Sequence, residues 1–223
     1  MAVMPSDDEL LPDPLPAEPM GMLQEWVATA ALKSGRPNPN AMVLATASHD
    51  ARPAARVVLC KGIVSDPGYL VFYTNYDSHK GQDLADNPRA AAVFHWDSLH
   101  RQLRIEGRVV RSPSAESDAY FNSRPWGSRL GAWASEQSRP MASRAAFVAA
   151  LARTTAKYGA QAVIGRSIPR PDHWGGFRLW AEAVEFWVEG QFRIHDRVRY
   201  ARALTAGETG FTASNWSLTR LQP

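Results

Sequence analysis

The chain has 223 residues, 45% of them apolar and 21% charged, enough for one domain with a sizeable core and no need of disulfide or metal staples. Cys60 is the only cysteine, which excludes an intrachain disulfide and disfavours a cysteine-based zinc site, so no metal is expected. The net charge of +3 is uneven: residues 1–32 hold six acidic and no basic side chains, leaving the rest with 25 basic against 16 acidic ones.

A basic body predicts an anionic ligand. The basic residues form no run and no helical stripe, which favours a phosphorylated small molecule over nucleic acid. No apolar run approaches the ~20 residues needed to cross a bilayer. The N-terminus lacks the basic start and apolar core of a signal peptide. A cytoplasmic protein with no membrane attachment is expected.

In chain order, residues 1–19 read as a flexible, acidic tail, because prolines at 12, 14, 16 and 19 favour extended chain. Residues 20–223 read as one domain. A helix follows the tail, with Met22, Leu23, Trp26, Val27, Ala30 and Ala31 at helical spacing, ended by Gly35 and Pro37. Strands are predicted at 41–47, 53–64 and 69–75, with turns at "SHDAR" and "SDPG". Ser78 caps a short helix, "HKGQDLAD", that Asn87-Pro88 stops. Strands at 90–96 and 101–112 lead to helices at 114–124, opened by Ser114, then 127–138 and 141–159. Residues 167–176 read as a loop. Strands at 177–188, 191–202 and 216–223 end the chain.

The absence of βαβ alternation disfavours a parallel, doubly wound sheet. The expected fold is mainly β with flanking helices, an antiparallel barrel that is closed or partly closed. No internal repeat is found, and no glycine-rich nucleotide motif or HExxH motif.

Four clusters stand out. They are Arg56 to Lys61, Tyr73 to Asn75 with Ser78-His79-Lys80 at a helix start, Tyr120 to Ser128, and Glu185 to Arg197. A helix N-terminus with hydroxyls and a lysine suits a phosphate. In an extended strand Arg193, His195 and Arg197 share one face, which calls for an anion opposite them. Taken singly, each cluster has a plain structural reading. Arg56 and Lys61 solvate an edge strand, Tyr73 is a half-buried strand aromatic, and Ser78 is only a cap. Tyr120 and Arg124 form a surface pair, and Trp187 is core. Jointly, four segments supply cations, hydroxyls and aromatics suited to a phosphate and a flat ring.

The stretches "RVVLCK", "FYTNYDSHKGQDLADNPRAAAVFHW", "RQLRIEGRV", "YFNSRPWGSRLGAWASEQS", "WGGFRL" and "VEFWVEGQFRIHDR" resemble the pyridoxine/pyridoxamine 5′-phosphate oxidase family, in order and spacing, from about residue 20 onward. The resemblance implies an antiparallel FMN-binding split β-barrel, working as a homodimer with FMN at the subunit interface. It implies oxidation of C4′ of either B6 phosphate to the aldehyde, hydride transfer to flavin N5, and reoxidation by O2 to hydrogen peroxide. By matching motifs, the FMN set is Arg56, Val57, Val58, Leu59, Tyr73, Thr74, His79, Lys80, Gln102, Gln137, Ser138, Trp187 and Arg197. The substrate-phosphate set is Lys61, Tyr120, Arg124 and Ser128. Arg193 and His195 are expected over the pyridine ring. With Arg197, placed at the electron-rich edge of the flavin, they form the expected catalytic group.

Three departures from the family pattern are visible. His79 stands where arginine is usual, the glycine after Trp187 comes one place late, and the N-terminal segment lacks an Arg/Tyr-containing lid sequence. Strand alternation puts Arg56 and Lys61 on opposite faces, as two different phosphates would require. Three rival readings remain: a related FMN oxidase acting on another substrate such as a phenazine precursor, a flavin-storage protein, and a nucleic-acid-binding barrel. The substrate-phosphate set opposes the first, Arg193 and His195 oppose the second, and the missing basic-aromatic strand face opposes the third.

Overall fold

A computed structural model describes residues 10–163, 167–208 and 210–223. The prediction for residues 1–9 lies outside the described residues. Seven strands hydrogen-bond in the order β11-β8-β7-β6-β5-β1-β2, all antiparallel. Their ranges are β1 Ala41–Ala47, β2 Pro53–Leu59, β5 Arg89–Trp96, β6 Arg101–Arg111, β7 Trp174–Val188, β8 Asp196–Ala201 and β11 Ser217–Arg220. Strand β3 (Gly62–Val64) pairs with β4 (Tyr69–Asn75), which pairs with the first half of β7. The sheet curls into a split barrel.

Period-two patterning produces this curl. Along β1, Met42, Leu44 and Thr46 point inward; along β5, Ala90, Ala92, Phe94 and Trp96 do so. Strand β7 is buried on both faces over most of its length: Phe177, Leu179, Val184 and Phe186 enter the main core, while Trp174 and Trp180 pack into two smaller clusters on the opposite side. Helix α1 (Pro19–Lys33) seals the core with Met20, Leu23, Trp26 and Ala30, and Trp26 meets Phe186 edge-to-face at 4.9 Å. Pro19 starts this helix, where its missing N–H costs nothing.

Helix α2 (His79–Asp86) is capped by Ser78, whose hydroxyl accepts from the Gly81 N–H. Helices α3 (Ser114–Ser123), α4 (Trp126–Ala134) and α5 (Arg144–Val163) cover the end where β4 meets β7. Residues 10–18 lie against the barrel. The Leu11 N–H donates to Asp196, and Pro16 O accepts from the Tyr200 hydroxyl.

Several boundaries differ from expectation for identifiable reasons. The predicted strand 53–64 breaks at Cys60-Lys61, where the chain changes partners: Cys60 N–H donates to Asn40 O and Lys61 N–H to Val71 O. Ideal alternation therefore fails between Arg56 and Lys61. The predicted strand 191–202 survives only as β8. A tight 3-10 turn, Gln191–Arg193, precedes it, with Phe192 at φ 54° and Arg193 at φ 67°. Arg193, His195 and Arg197 thus do not form one strand face. Residues 174–176, read as loop, begin β7. Ser114 is the first helical residue of α3 rather than its cap. The helix predicted over 127–138 ends at Ala134. A hairpin, β9 (Leu204–Gly207) with β10 (Gly210–Ala213), was not anticipated.

Phe186 is fully buried in the main core, against Trp26 and Tyr200. Phe186→Ala is expected to cost about 3–5 kcal/mol in urea unfolding. A loss below about 1 kcal/mol would show that this core is not the one described.

Candidate active site

One cavity of about 470 Å³ is lined by Arg56, Val57, Val58, Leu59, Lys61, Tyr73, Thr74, Lys80, Tyr120, Arg124, Gln137 and Trp174. It holds four cations and no carboxylate. The strand break at Cys60-Lys61 turns Lys61 toward the space that Arg56 faces, so both line it, contrary to the alternation argument.

Lys80 is the most constrained of the four. It sits in the first turn of α2 and is only 7% exposed. Its ammonium donates to Gln137 Oε1 (2.8 Å), Thr74 Oγ1 (3.1 Å) and Ser78 Oγ (3.2 Å). Among the described residues no carboxylate pairs with it. Burial, reinforced by the nearby Arg56 charge, pushes its pKa down to about 8. Such a site gains most from an added anion.

Arg56 is held from behind. Its Nη1 donates to Thr46 Oγ1 (2.6 Å) and Leu44 O (3.2 Å), and its Nη2 lies 3.7 Å from Asp83 Oδ2. Buried Asp83 also accepts from the Thr46 hydroxyl at 2.5 Å. Burial lowers the Arg56 pKa, and Asp83 opposes that shift. His79 is outside the cavity lining: its side chain is 62% exposed and its Nε2 lies 3.5 Å from Asp83 Oδ1. Ser138, beside Gln137 in the turn after α4, adopts φ 72° and is not part of the lining either.

At the other end of the cavity Tyr73 and Tyr120 stack at 3.9 Å, and both lie nearly parallel to Trp174. Burial, aided by Glu116, pushes the Tyr73 hydroxyl up to about 12, so it stays protonated and able to donate. Arg124 lies 4.5 Å above the Trp174 ring, and its buried Nη1 has no hydrogen-bond partner. Arg124 also lines an adjoining cavity of about 310 Å³, where Ser128 is found.

Gln102, Trp187 and Arg197 face one another in register across β6, β7 and β8. Glu185, 4% exposed, accepts from Arg197 Nε (3.1 Å) and Nη2 (2.7 Å), and from Arg104 Nη2 (2.7 Å). The His195 ring lies 4.6 Å from Trp187. Its Nδ1 accepts from the Gly190 N–H at 3.1 Å, so the neutral ring carries its proton on Nε2. Arg193 is exposed on the preceding turn. This row lies thirteen residues along β7 from Trp174, roughly 40 Å at the usual strand rise. The chain therefore gathers eleven predicted residues in one cavity, with Ser128 next door. It keeps Gln102, Trp187, Arg193, His195 and Arg197 apart from them. Trp174 and Asp83 were not singled out, whereas Glu185 opened the fourth cluster. The first two lie inside stretches that resemble the family, Trp174 in "WGGFRL" and Asp83 in "FYTNYDSHKGQDLADNPRAAAVFHW".

Residues 28–158 match the family model for pyridoxamine 5′-phosphate oxidase, and residues 174–223 match the pyridoxine 5′-phosphate oxidase C-terminal dimerisation region. The chain belongs to the pyridoxine/pyridoxamine 5′-phosphate oxidase family. It is 48% identical over 205 residues to a curated pyridoxine/pyridoxamine 5′-phosphate oxidase from Paraburkholderia phymatum, covering 92% of this chain and 89% of that one. A Brucella canis relative of the same name is 48% identical over 207 residues, covering 93% and 95%. Among solved structures, PhzG from Burkholderia lata 383, in complex with tetrahydrophenazine-1-carboxylic acid, superposes with TM-score 0.83 at 30% identity, over 100% of this chain and 99% of that one. A pyridoxamine 5′-phosphate oxidase-related, FMN binding protein from Nostoc punctiforme PCC 73102 shares the fold at TM-score 0.65 and 16% identity, over 91% and 96%. As a member of this oxidase family the chain is a flavin-dependent oxidoreductase, and its dimerisation region contains Trp187, Arg193, His195 and Arg197.

Among the described residues no helix is long and apolar enough to cross a membrane.

Lys80 gives a pH test. In flavin-free protein, sulfate affinity is expected to fall as pH rises from 7 to 9, because Lys80 loses its proton near pH 8. Calorimetric titration reads this directly, and a pH-independent affinity would contradict it. The stability effect has the opposite sense. The unfolded lysine keeps its proton up to about its ordinary 10.5, so the unfolded state binds more protons between about 8 and 10.5. Flavin-free protein therefore gains stability as pH rises through that window.

Proposed function

We propose that this chain binds FMN across a homodimer interface and oxidises pyridoxine 5′-phosphate or pyridoxamine 5′-phosphate to pyridoxal 5′-phosphate, with O2 as electron acceptor. The carrying observation is the cavity with four cations, no carboxylate, an acid-free buried Lys80 and an unpartnered Arg124 Nη1. Two phosphates, one from cofactor and one from substrate, match that charge. When bound, FMN would supply a two-electron acceptor for the C4′ hydride, with O2 as terminal oxidant and hydrogen peroxide as product; for the amine substrate, water would complete the aldehyde and ammonia would leave.

The chain's own residues divide the work. Arg56 and Lys80, with Thr74, take the cofactor phosphate, and the buried Asp83 keeps Arg56 aimed. The backbone of Val57, Val58 and Leu59 lies beside the flavin, with Tyr73 and Gln137 closing the wall; His79 and Ser138 border this site. Lys61, Tyr120, Arg124 and Ser128 take the substrate phosphate, offering two cations and two hydroxyls to a dianion. Gln102, Trp187 and Arg197 complete the flavin site from a second copy, since their own row lies too far along β7 to reach the cavity of the same chain. Arg193 and the Nε2–H of His195 face the substrate ring. Arg197 supplies positive charge where negative charge develops on reduction.

Residues 20–223 act as one domain, and residues 1–19 precede it. The buried free thiol of Cys60 accords with a reducing, cytoplasmic setting.

Purified protein is expected to be yellow and to consume oxygen with either B6 phosphate. The 30% identity to PhzG makes a phenazine-type compound the comparison substrate. Bound flavin with turnover of that compound alone would overturn the substrate assignment. Arg124→Ala is expected to raise KM for the phosphorylated substrate by about tenfold or more with a smaller change in kcat. Arg197→Ala is expected to slow flavin reduction in single-turnover absorbance traces, and an unchanged rate would refute its role.

A further inference from the structure

Trp174 belongs to none of the matched residue sets, yet it lines both the main cavity and the adjoining one. We propose that Trp174 is the positioning residue that orients Arg124, and that this pair sets the preference for phosphorylated over unphosphorylated substrates. The inference rests on the assignment of Arg124 to the substrate phosphate.

The backbone at Arg124 is fixed. Its N–H donates to Phe121 O at 3.2 Å, its φ and ψ of −75° and 147° are extended, and Pro125 disfavours any helical alternative. The side chain has no such restraint from polar groups. Among the described residues no carboxylate pairs with Arg124 and no acceptor meets Nη1. What holds the guanidinium is ring contact: 4.5 Å to the Trp174 centre and 5.7 Å to that of Phe121. A planar guanidinium lying over a ring keeps its N–H edges pointing sideways. Here that leaves donors available in a wall shared by the Lys61–Tyr120 cavity and the Ser128 cavity.

The platform itself is rigid. Trp174 is 7% exposed and lies parallel to Tyr73 (5.6 Å, 10°) and Tyr120 (6.2 Å, 8°), with Phe121 edge-on at 5.2 Å. Its N–H donates to Pro171 O at 3.0 Å, and its carbonyl accepts from Arg170 Nη1 at 2.6 Å. Gly175 leaves room for the Tyr76 side chain just past the end of β4, since a Cβ there would lie 2.1 Å from the Tyr76 hydroxyl. Burial lowers the Arg124 pKa, so the site carries an incompletely compensated cation. The ring offsets part of that cost, and a substrate dianion offsets the rest.

The test uses flavin-loaded dimer and two variants, Trp174→Leu, which removes the ring, and Trp174→Phe, which keeps a smaller one. Trp174→Leu is expected to raise KM for pyridoxamine 5′-phosphate about tenfold. It should lower kcat/KM for unphosphorylated pyridoxamine far less than for the phosphorylated substrate and add no further loss for the phosphorylated one in an Arg124→Ala background. Trp174→Phe should show the same selective loss, only smaller. Equal losses on both substrates, or full additivity with Arg124→Ala, would make Trp174 a core residue and overturn the proposal. If Trp174→Leu fails to fold, the Trp174→Phe ratio of the two substrates decides alone. If the wild type turns over neither B6 compound, the proposed function fails instead. Calorimetric binding of inorganic phosphate then tests the pair: equal weakening in Trp174→Leu and Arg124→Ala supports it, and full retention in Trp174→Leu overturns it.

Discussion

The length of β7 governs the rest of the molecule. Fifteen residues of continuous strand pair with β6 along one edge, while β4 and β8 share the other edge end to end. The cationic cavity takes Tyr73, Thr74 and Trp174 from the β4 end and Arg56–Leu59 from β2, while the β8 end carries the Gln102–Trp187–Arg197 row. A strand cannot fold back without giving up its ladder, so one chain cannot bring the two ends together. The proposed homodimer would do so if its twofold axis set one end of each copy against the opposite end of the other.

The two ends treat charge in opposite ways. At the β8 end, Arg197 is fully engaged: Glu185, buried, takes two of its N–H groups and a third from Arg104. Removing Glu185 would leave Arg197 without a carboxylate partner in a half-buried place, whereas Arg104 would keep Glu106 at 3.1 Å. At the β4 end, Lys80 has only neutral acceptors and Arg124 only aromatic ones. The first arrangement fixes a cation in place whether or not a ligand is present. The second stores unfavourable electrostatics that an anion relieves, which is how affinity for phosphate is built into the fold. Arg56 is intermediate, aimed by Asp83 at 3.7 Å but still facing the cavity.

Much of this was legible in the sequence where local chemistry and tertiary structure agree. Ser78 capping "HKGQDLAD", and the hairpins of the first sheet block, follow from turn residues and period-two patterning, and the structure keeps them. The failures have physical causes. At Cys60-Lys61 the chain exchanges one partner strand for another; Gly62, the next residue, marks the break, yet the strand pattern runs on through it, so simple alternation puts Lys61 on the wrong face. At Phe192 and Arg193 the backbone takes left-handed values that are normally signalled by glycine or asparagine, and a phenylalanine gives no such warning. "WGG" reads as a turn, yet its glycines allow close approach to Tyr73 and Tyr76. Trp174 consequently went unnoticed. The matched motifs named the candidate site residues, but not their division between the cavity and the row, which depends on pairing register.

The central claim is that each active site takes its cavity from one subunit and its β8-end row from the other. Mixing two inactive variants tests this most directly: Lys80→Ala, damaged at the cavity, and Arg197→Ala, damaged at the row. After unfolding together and refolding in equal amounts, half the dimers should be mixed. Each mixed dimer holds one intact site, so about a quarter of wild-type oxidase activity should return. Activity no higher than that of the separate variants would contradict the account, because it would mean that each chain builds its site alone.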